Sequence, residues 1–82
     1  MIPRVTLYTR AGCCLCDTAK EQIQRARRSA EFELEEIDID SDPELRERYN
    51  HEVPVVAING KKAFKYHVEE RAFLRRLRER TT

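Results

Sequence analysis

Val5-Thr6-Leu7-Tyr8-Thr9-Arg10-Ala11-Gly12-Cys13-Cys14-Leu15-Cys16 is the stretch on which the reading of this chain turns. It opens with an apolar, β-branched and aromatic run of the strand type. A short loop with Gly12 follows, and then a helical pattern begins. Cys13 and Cys16 lie three positions apart, so on a helix they share a face, while Cys14 points elsewhere. A helix start leaves backbone N–H groups unpaired and carries partial positive charge. That environment favours a thiolate, which makes Cys13 the expected nucleophile and Cys16 the expected resolving thiol. A Cys-x-x-Cys pair at a strand-to-helix turn therefore suits thiol–disulfide exchange.

Working outward, residues 4–9 read as a first strand and residues 14–29 as a helix. Ala19, Ile23, Ala26 and Ala30 recur at helical spacing, with Lys20, Glu21, Gln24, Arg25, Arg27 and Arg28 on the other faces. Phe32 to Ile39 reads as a second strand. Its Glu33, Glu35 and Glu36 suit a sheet edge that must not pair with other chains. Asp40-Ser41-Asp42-Pro43-Glu44 carries capping side chains, an early proline and an acid, the marks of a helix start. A short helix to about Asn50 follows, with Leu45 and Tyr49 facing inward. Val53-Pro54-Val55-Val56-Ala57-Ile58 is a buried-strand run, Asn59-Gly60 a hairpin turn, and Lys61 to Lys65 the returning strand. The last helix is expected from about Val68 to Arg80, burying Val68, Phe73, Leu74 and Leu77.

The order is β-α-β-α-β-β-α. Strands joined through a helix run parallel, and strands joined by Asn-Gly run antiparallel. A four-stranded mixed sheet flanked by helices on both faces follows, an α/β fold. The 82 residues suffice for a single domain, 1–82, with no repeat or linker. Apolar residues make up 40% and charged residues 38%, yet the net charge is +1. Near-balance gives no electrostatic case for nucleic acid or a membrane surface. The arginines of the last helix read as a solvated face balanced by Glu69, Glu70 and Glu79. No apolar run approaches the roughly 20 residues of a membrane span. The three cysteines cluster in four consecutive positions, and the N-terminus enters a strand with no secretion signal. A reducing compartment, the cytoplasm, is the expectation.

Val5-Thr6-Leu7-Tyr8-Thr9, Gly12-Cys13 through Cys16, Val53-Pro54 and Asn59-Gly60 together resemble the glutaredoxin branch of the thioredoxin superfamily, in particular small bacterial glutaredoxin-like proteins. The resemblance covers nearly the whole chain and implies a thioredoxin-like fold. It implies that Pro54 is a cis proline beside the cysteines, and that Val53 offers its backbone to a bound peptide or glutathione. It also makes Arg10, three positions before Cys13, a candidate for a glutathione carboxylate or for the Cys13 thiolate. Two features depart from the family. The glycine pair and acid that hold glutathione after the fourth strand are replaced by Phe64-Lys65-Tyr66-His67, and Ala11 stands where a proline is common. The bulky replacements occupy the space that the glycine pair keeps open in the family.

The implied function is a dithiol thiol–disulfide oxidoreductase acting on protein disulfides or glutathione mixed disulfides. It needs no bound cofactor. Glutathione or a thioredoxin reductase-like protein would recycle it, and a monomer is the default. Two other classes stay open. Cys13, Cys14 and Cys16 could hold Cu(I), zinc or a subunit-bridging iron–sulfur cluster, although a closed zinc site wants four ligands and no further pair supplies them. A non-catalytic thioredoxin-fold binding domain is the third. Cys14 reads either as a spectator or as an accessory thiol. Tyr8 reads as packing, and His51 and His67 as solvated polar residues.

Overall fold

The computed structural model describes residues 2–50 and 52–81, with the side chains of 80 and 81 left aside. Strand β1 (Arg4–Thr9) leads into helix α1 (Cys14–Ala26), which returns to strand β2 (Glu33–Asp38). A 3₁₀ turn (Ile39–Ser41) and helix α2 (Pro43–Tyr49) follow. Strands β3 (Val55–Ile58) and β4 (Lys61–Lys65) form the hairpin, and helix α3 (Glu70–Thr81) completes the order. The sheet order is β2-β1-β3-β4. β1 runs parallel to β2 and antiparallel to β3, which pairs antiparallel with β4. The acidic β2 is an edge strand, as its glutamates require.

Alternation along β1 assigns the two faces. Val5 and Leu7, both fully buried, join Val56 and Ile58 of β3 under α1 and α3. Ala19, Ile23 and Ala26 of α1 and Phe73 and Leu77 of α3 close this core. Phe73 is fully buried, with its ring 5.3 Å from Phe32 and 6.4 Å from Phe64. The opposite face carries Tyr8, whose ring meets Tyr49 of α2 at 4.7 Å. Burial raises the Tyr8 hydroxyl pKa, and the neighbouring Tyr49 adds to it. Tyr8 is thus a packing residue.

Element ends differ from the sequence reading in instructive ways. α1 stops at Ala26 rather than 29, because Arg27 and Arg28 bond three residues back and tighten the last turn. Phe32 and Ile39 leave the β2 ladder and are buried as plugs at its ends. α2 buries no residue fully: Leu45 and Tyr49 are only half-covered. Val68 is buried ahead of α3, which begins at Glu70, and Leu74 is half-covered. The Glu70 N–H donates to Gln22 Oε1 on α1 at 3.0 Å. This cap comes from another helix, so no local motif announces it. The hairpin turn agrees with its sequence: Asn59 and Gly60 have φ of 52° and 84°, the type I′ pattern.

Candidate active site

Cys13 is the N-cap of α1, with extended backbone at φ −92° and ψ 110°. It is not itself helical, so the helix brings its first N–H groups to the sulfur. The Cys16 N–H donates to Cys13 Sγ at 3.2 Å. The loop that presents Cys13 is closed by the Cys13 N–H donating to the Arg10 carbonyl at 3.3 Å. Gly12 occupies the third place of this turn with φ 78°, the left-handed value that a type II turn demands. Loop and cap together aim a backbone donor at the Cys13 sulfur.

The three thiols are all free and differ in exposure: Cys13 is half-covered, Cys14 exposed and Cys16 buried, at 2%. Burial is the main cause that raises the Cys16 thiol pKa, and its hydrogen bond with Cys13 raises it further. The Thr9 hydroxyl and the Arg10 backbone pull in the opposite direction. Cys13 thus meets solvent in part, while Cys16 is shut away from it. Among the described residues no group of three His, Cys, Asp or Glu side chains is placed to hold a metal ion.

The Val53–Pro54 peptide is cis, and Pro54 is fully buried. Because Tyr8 pairs with Val55 across the antiparallel β1–β3 ladder, Pro54 lies at the end of the sheet where β1 runs into the cysteine loop. The Pro54 carbonyl accepts the Tyr66 N–H at 2.9 Å. Val53 is half-buried just outside the strand. Next to it, Glu52 is held by Lys62 at 3.0 Å and Lys65 at 3.6 Å, and the Lys62 hydrogen bond lowers its carboxyl pKa.

Arg10 is engaged within the protein. Its Nε and Nη2 donate to Asp40 Oδ2 and Oδ1 at 3.0 and 2.9 Å, a bidentate fork, and Nη1 donates to the Asn50 carbonyl at 3.3 Å. The fork holds the Asp40 carboxyl below the usual carboxylate range. Of the influences that raise Arg10, the charge of Cys13 is the smallest. The side chain read as a ligand for substrate or thiolate is placed as a clamp between the cysteine loop, the 3₁₀ turn and the end of α2. The sequence presents Asp40 only as a capping residue. The caps are Asp38, which accepts the Asp40 N–H, and Asp42, which accepts the Glu44 N–H, each at 2.9 Å. Beside the loop, an open groove is lined by Thr9, Arg10, Ala11, Gly12, Asp17, Glu36 and Asp38. His67 is exposed as expected, and His51 lies outside the described residues.

Residues 4–78 match the glutaredoxin-like domain (DUF836). The chain belongs to this glutaredoxin-like family. An uncharacterized protein of Mycobacterium tuberculosis is 33% identical over 73 residues, covering 83% of this chain and 75% of that one. A solved structure from X. campestris superposes at TM-score 0.77 with 29% identity, over 92% of this chain and 96% of that one. Mitochondrial thioredoxin 3 of Saccharomyces cerevisiae superposes at TM-score 0.70 with 13% identity, over 94% and 77%. That likeness is one of fold, and it confirms the thioredoxin-like architecture of this family member. A glutaredoxin-like fold with a cysteine-rich motif at the first helix has the elements of redox capacity.

Proposed function

We propose that the protein is a thiol–disulfide oxidoreductase that reduces protein disulfides or glutathione mixed disulfides with the Cys13/Cys16 dithiol. The observation that carries this reading is the pairing of a half-exposed Cys13 sulfur, capped by the Cys16 N–H, with a buried Cys16 thiol. The Cys13 thiolate attacks one sulfur of the substrate disulfide. A Cys13–substrate disulfide forms, and the other substrate sulfur leaves as a thiolate that takes a proton from water. Cys16 then loses its proton and attacks the Cys13 sulfur. The Cys13–Cys16 disulfide forms, and the second substrate thiol departs. The substrate gains two electrons and the dithiol loses two.

Cys13 itself contributes to holding Cys16 protonated, through a hydrogen bond and through charge. Once Cys13 is tied up in a neutral mixed disulfide, that restraint disappears and Cys16 ionises more readily. The order of events is thus built into the pair. Val53 and Pro54 provide the edge along which the substrate lies, in the manner of an added strand. Glutathione or a thioredoxin reductase-like protein supplies the electrons that reopen the Cys13–Cys16 bond. No bound cofactor takes part. Among the described residues no helix is long and apolar enough to cross a membrane, and we place the reaction in the cytoplasm, acting as a monomer.

The test is trapping. Cys16→Ser is expected to accumulate a mixed disulfide with a peptide substrate at Cys13, and Cys13→Ser to lose turnover altogether. Full turnover in folded Cys13→Ser overturns the mechanism.

A further inference from the structure

The chain has six aromatic residues, three Tyr and three Phe. Five of them pack ring against ring: Tyr8 on Tyr49, and Phe32 and Phe64 on Phe73. Tyr66 is the exception among the described residues. It is 39% exposed, and the group over its ring is the Lys65 ammonium, 5.5 Å from the centroid. An aromatic ring left at the surface in one defined place offers a large, stiff contact area.

The backbone of Tyr66 is as unusual as its exposure. Its φ is 67°, in the left-handed region that bulky residues rarely enter. Two hydrogen bonds hold it there. The Tyr66 N–H donates to the Pro54 carbonyl at 2.9 Å, and the His67 N–H donates to the Lys65 carbonyl at 2.8 Å, closing a one-residue turn around Tyr66. Such conformations persist where the surroundings over-determine them, and they cluster at functional sites.

The location matches. β1 ends, β3 begins and β4 ends at one end of the sheet, the end that carries Cys13. Tyr66 is bonded to the residue that follows Val53, and no turn or loop hydrogen bond engages the Val53 backbone among the described residues. Leu15, 40% exposed on the first turn of α1, is a second large apolar side chain left open at this end.

We propose that Tyr66 is a specificity-determining residue: a fixed ring against which the residue flanking the substrate's reactive cysteine packs. The proposal rests on the oxidoreductase reading above and names its substrate class. Disulfides set in apolar or aromatic polypeptide segments are preferred to small polar ones. Glutathione has no apolar side chain to set against the ring.

The experiment uses two short peptides that differ only in the residue next to their cysteine, Phe or Ser. Each is joined to thionitrobenzoate as a mixed disulfide, and glutathione joined in the same way is the third substrate. Pre-reduced protein in excess over each substrate, in a single turnover, releases the coloured thiol and gives a second-order rate constant for each. The wild type is expected to prefer the Phe peptide over the other two. In Tyr66→Gly, which takes up the same φ freely, that preference should shrink by about fivefold, the size of one aromatic contact. Tyr66→Phe should keep it. An unchanged preference in Tyr66→Gly, an equal loss on all three substrates, or a Phe variant that behaves like the Gly variant each overturn the proposal. A folded wild type that exchanges with none of the three removes the oxidoreductase reading as well. A wild type that exchanges without preference removes this proposal alone.

Discussion

Gly12→Ala and Gly60→Ala make a matched pair. Both glycines adopt left-handed φ, 78° and 84°, and a Cβ built on either meets nothing within 4 Å. The penalty in each is therefore conformational and free of steric contacts. A left-handed L-residue costs about 1–2 kcal/mol. Alanine also restricts the unfolded chain, which returns about 0.4–1 kcal/mol. The two terms leave a loss of about 0–1.6 kcal/mol in each variant, centred near about 0.8 kcal/mol. For a domain of this length that centre is a fall in Tm of about 3–6 °C. Their functional effects should part company. Gly60 turns the hairpin, and Gly12 shapes the loop whose Arg10–Cys13 hydrogen bond places Cys13, the proposed nucleophile. Misplacing a reacting atom by about 1 Å can cost up to about 100-fold. Urea denaturation reads the stability, and single-turnover exchange with a peptide disulfide, well below both midpoints, reads the rate. Gly12→Ala should slow exchange by about tenfold or more, with Gly60→Ala close to wild type. If Gly60→Ala slows exchange as much as Gly12→Ala, or neither variant is destabilised, the reasoning fails.

Phe73→Leu keeps an apolar residue in the core but removes the contacts with the Phe32 and Phe64 rings. At about 0.5–1.5 kcal/mol per ring pair the loss is about 1–3 kcal/mol, and a denaturation midpoint equal to wild type would refute it. Asp40→Asn removes a carboxyl whose pKa is lowered by the Arg10 hydrogen bond. A depressed folded pKa stabilises above the unfolded carboxylate pKa and is lost as pH falls through the folded one. The wild type should therefore lose Tm more steeply than Asp40→Asn on the acid side, as thermal scans from pH 6 to about 2 will show. Cys16, buried with a raised pKa, should be the slowest of the three thiols to alkylate in the reduced protein, read by peptide mass spectrometry. The sign is opposite to that of Asp40: a raised folded thiol pKa gives stability present below the unfolded thiol pKa and lost as pH rises through the folded one. Reduced protein should therefore lose stability as pH rises through the thiol range, and Cys16→Ala should lose less.

Several single residues show what was legible in advance and what was not. Gly12, Asn59 and Gly60 announced their turns, because left-handed backbone has few suitable residues. Asp42 with Pro43 announced the start of α2. Tyr66 has left-handed backbone as well, but a tyrosine gives no sign of it, and only its bond to Pro54 and the His67–Lys65 bond account for it. The Glu70 N–H at the start of α3 is capped by Gln22 reaching over from α1. The sequence pattern instead points to the buried Val68, two residues early, as the start.

The sequence by itself determined the element order, the mixed sheet and the cysteine that heads the first helix. These rest on signals of short range: alternation along strands, helical periodicity, caps and turn residues acting within a few positions. Only the tertiary structure decided which groups those elements bring together. It set the clamp of Arg10 on Asp40 thirty residues away, the cap of Gln22 on Glu70 across 48, and the seat of Tyr66 on Pro54. It also buried Cys16 while leaving Cys13 half open. Partners so far apart are selected by the packing of the whole sheet against its helices, and no local pattern of residues encodes that choice.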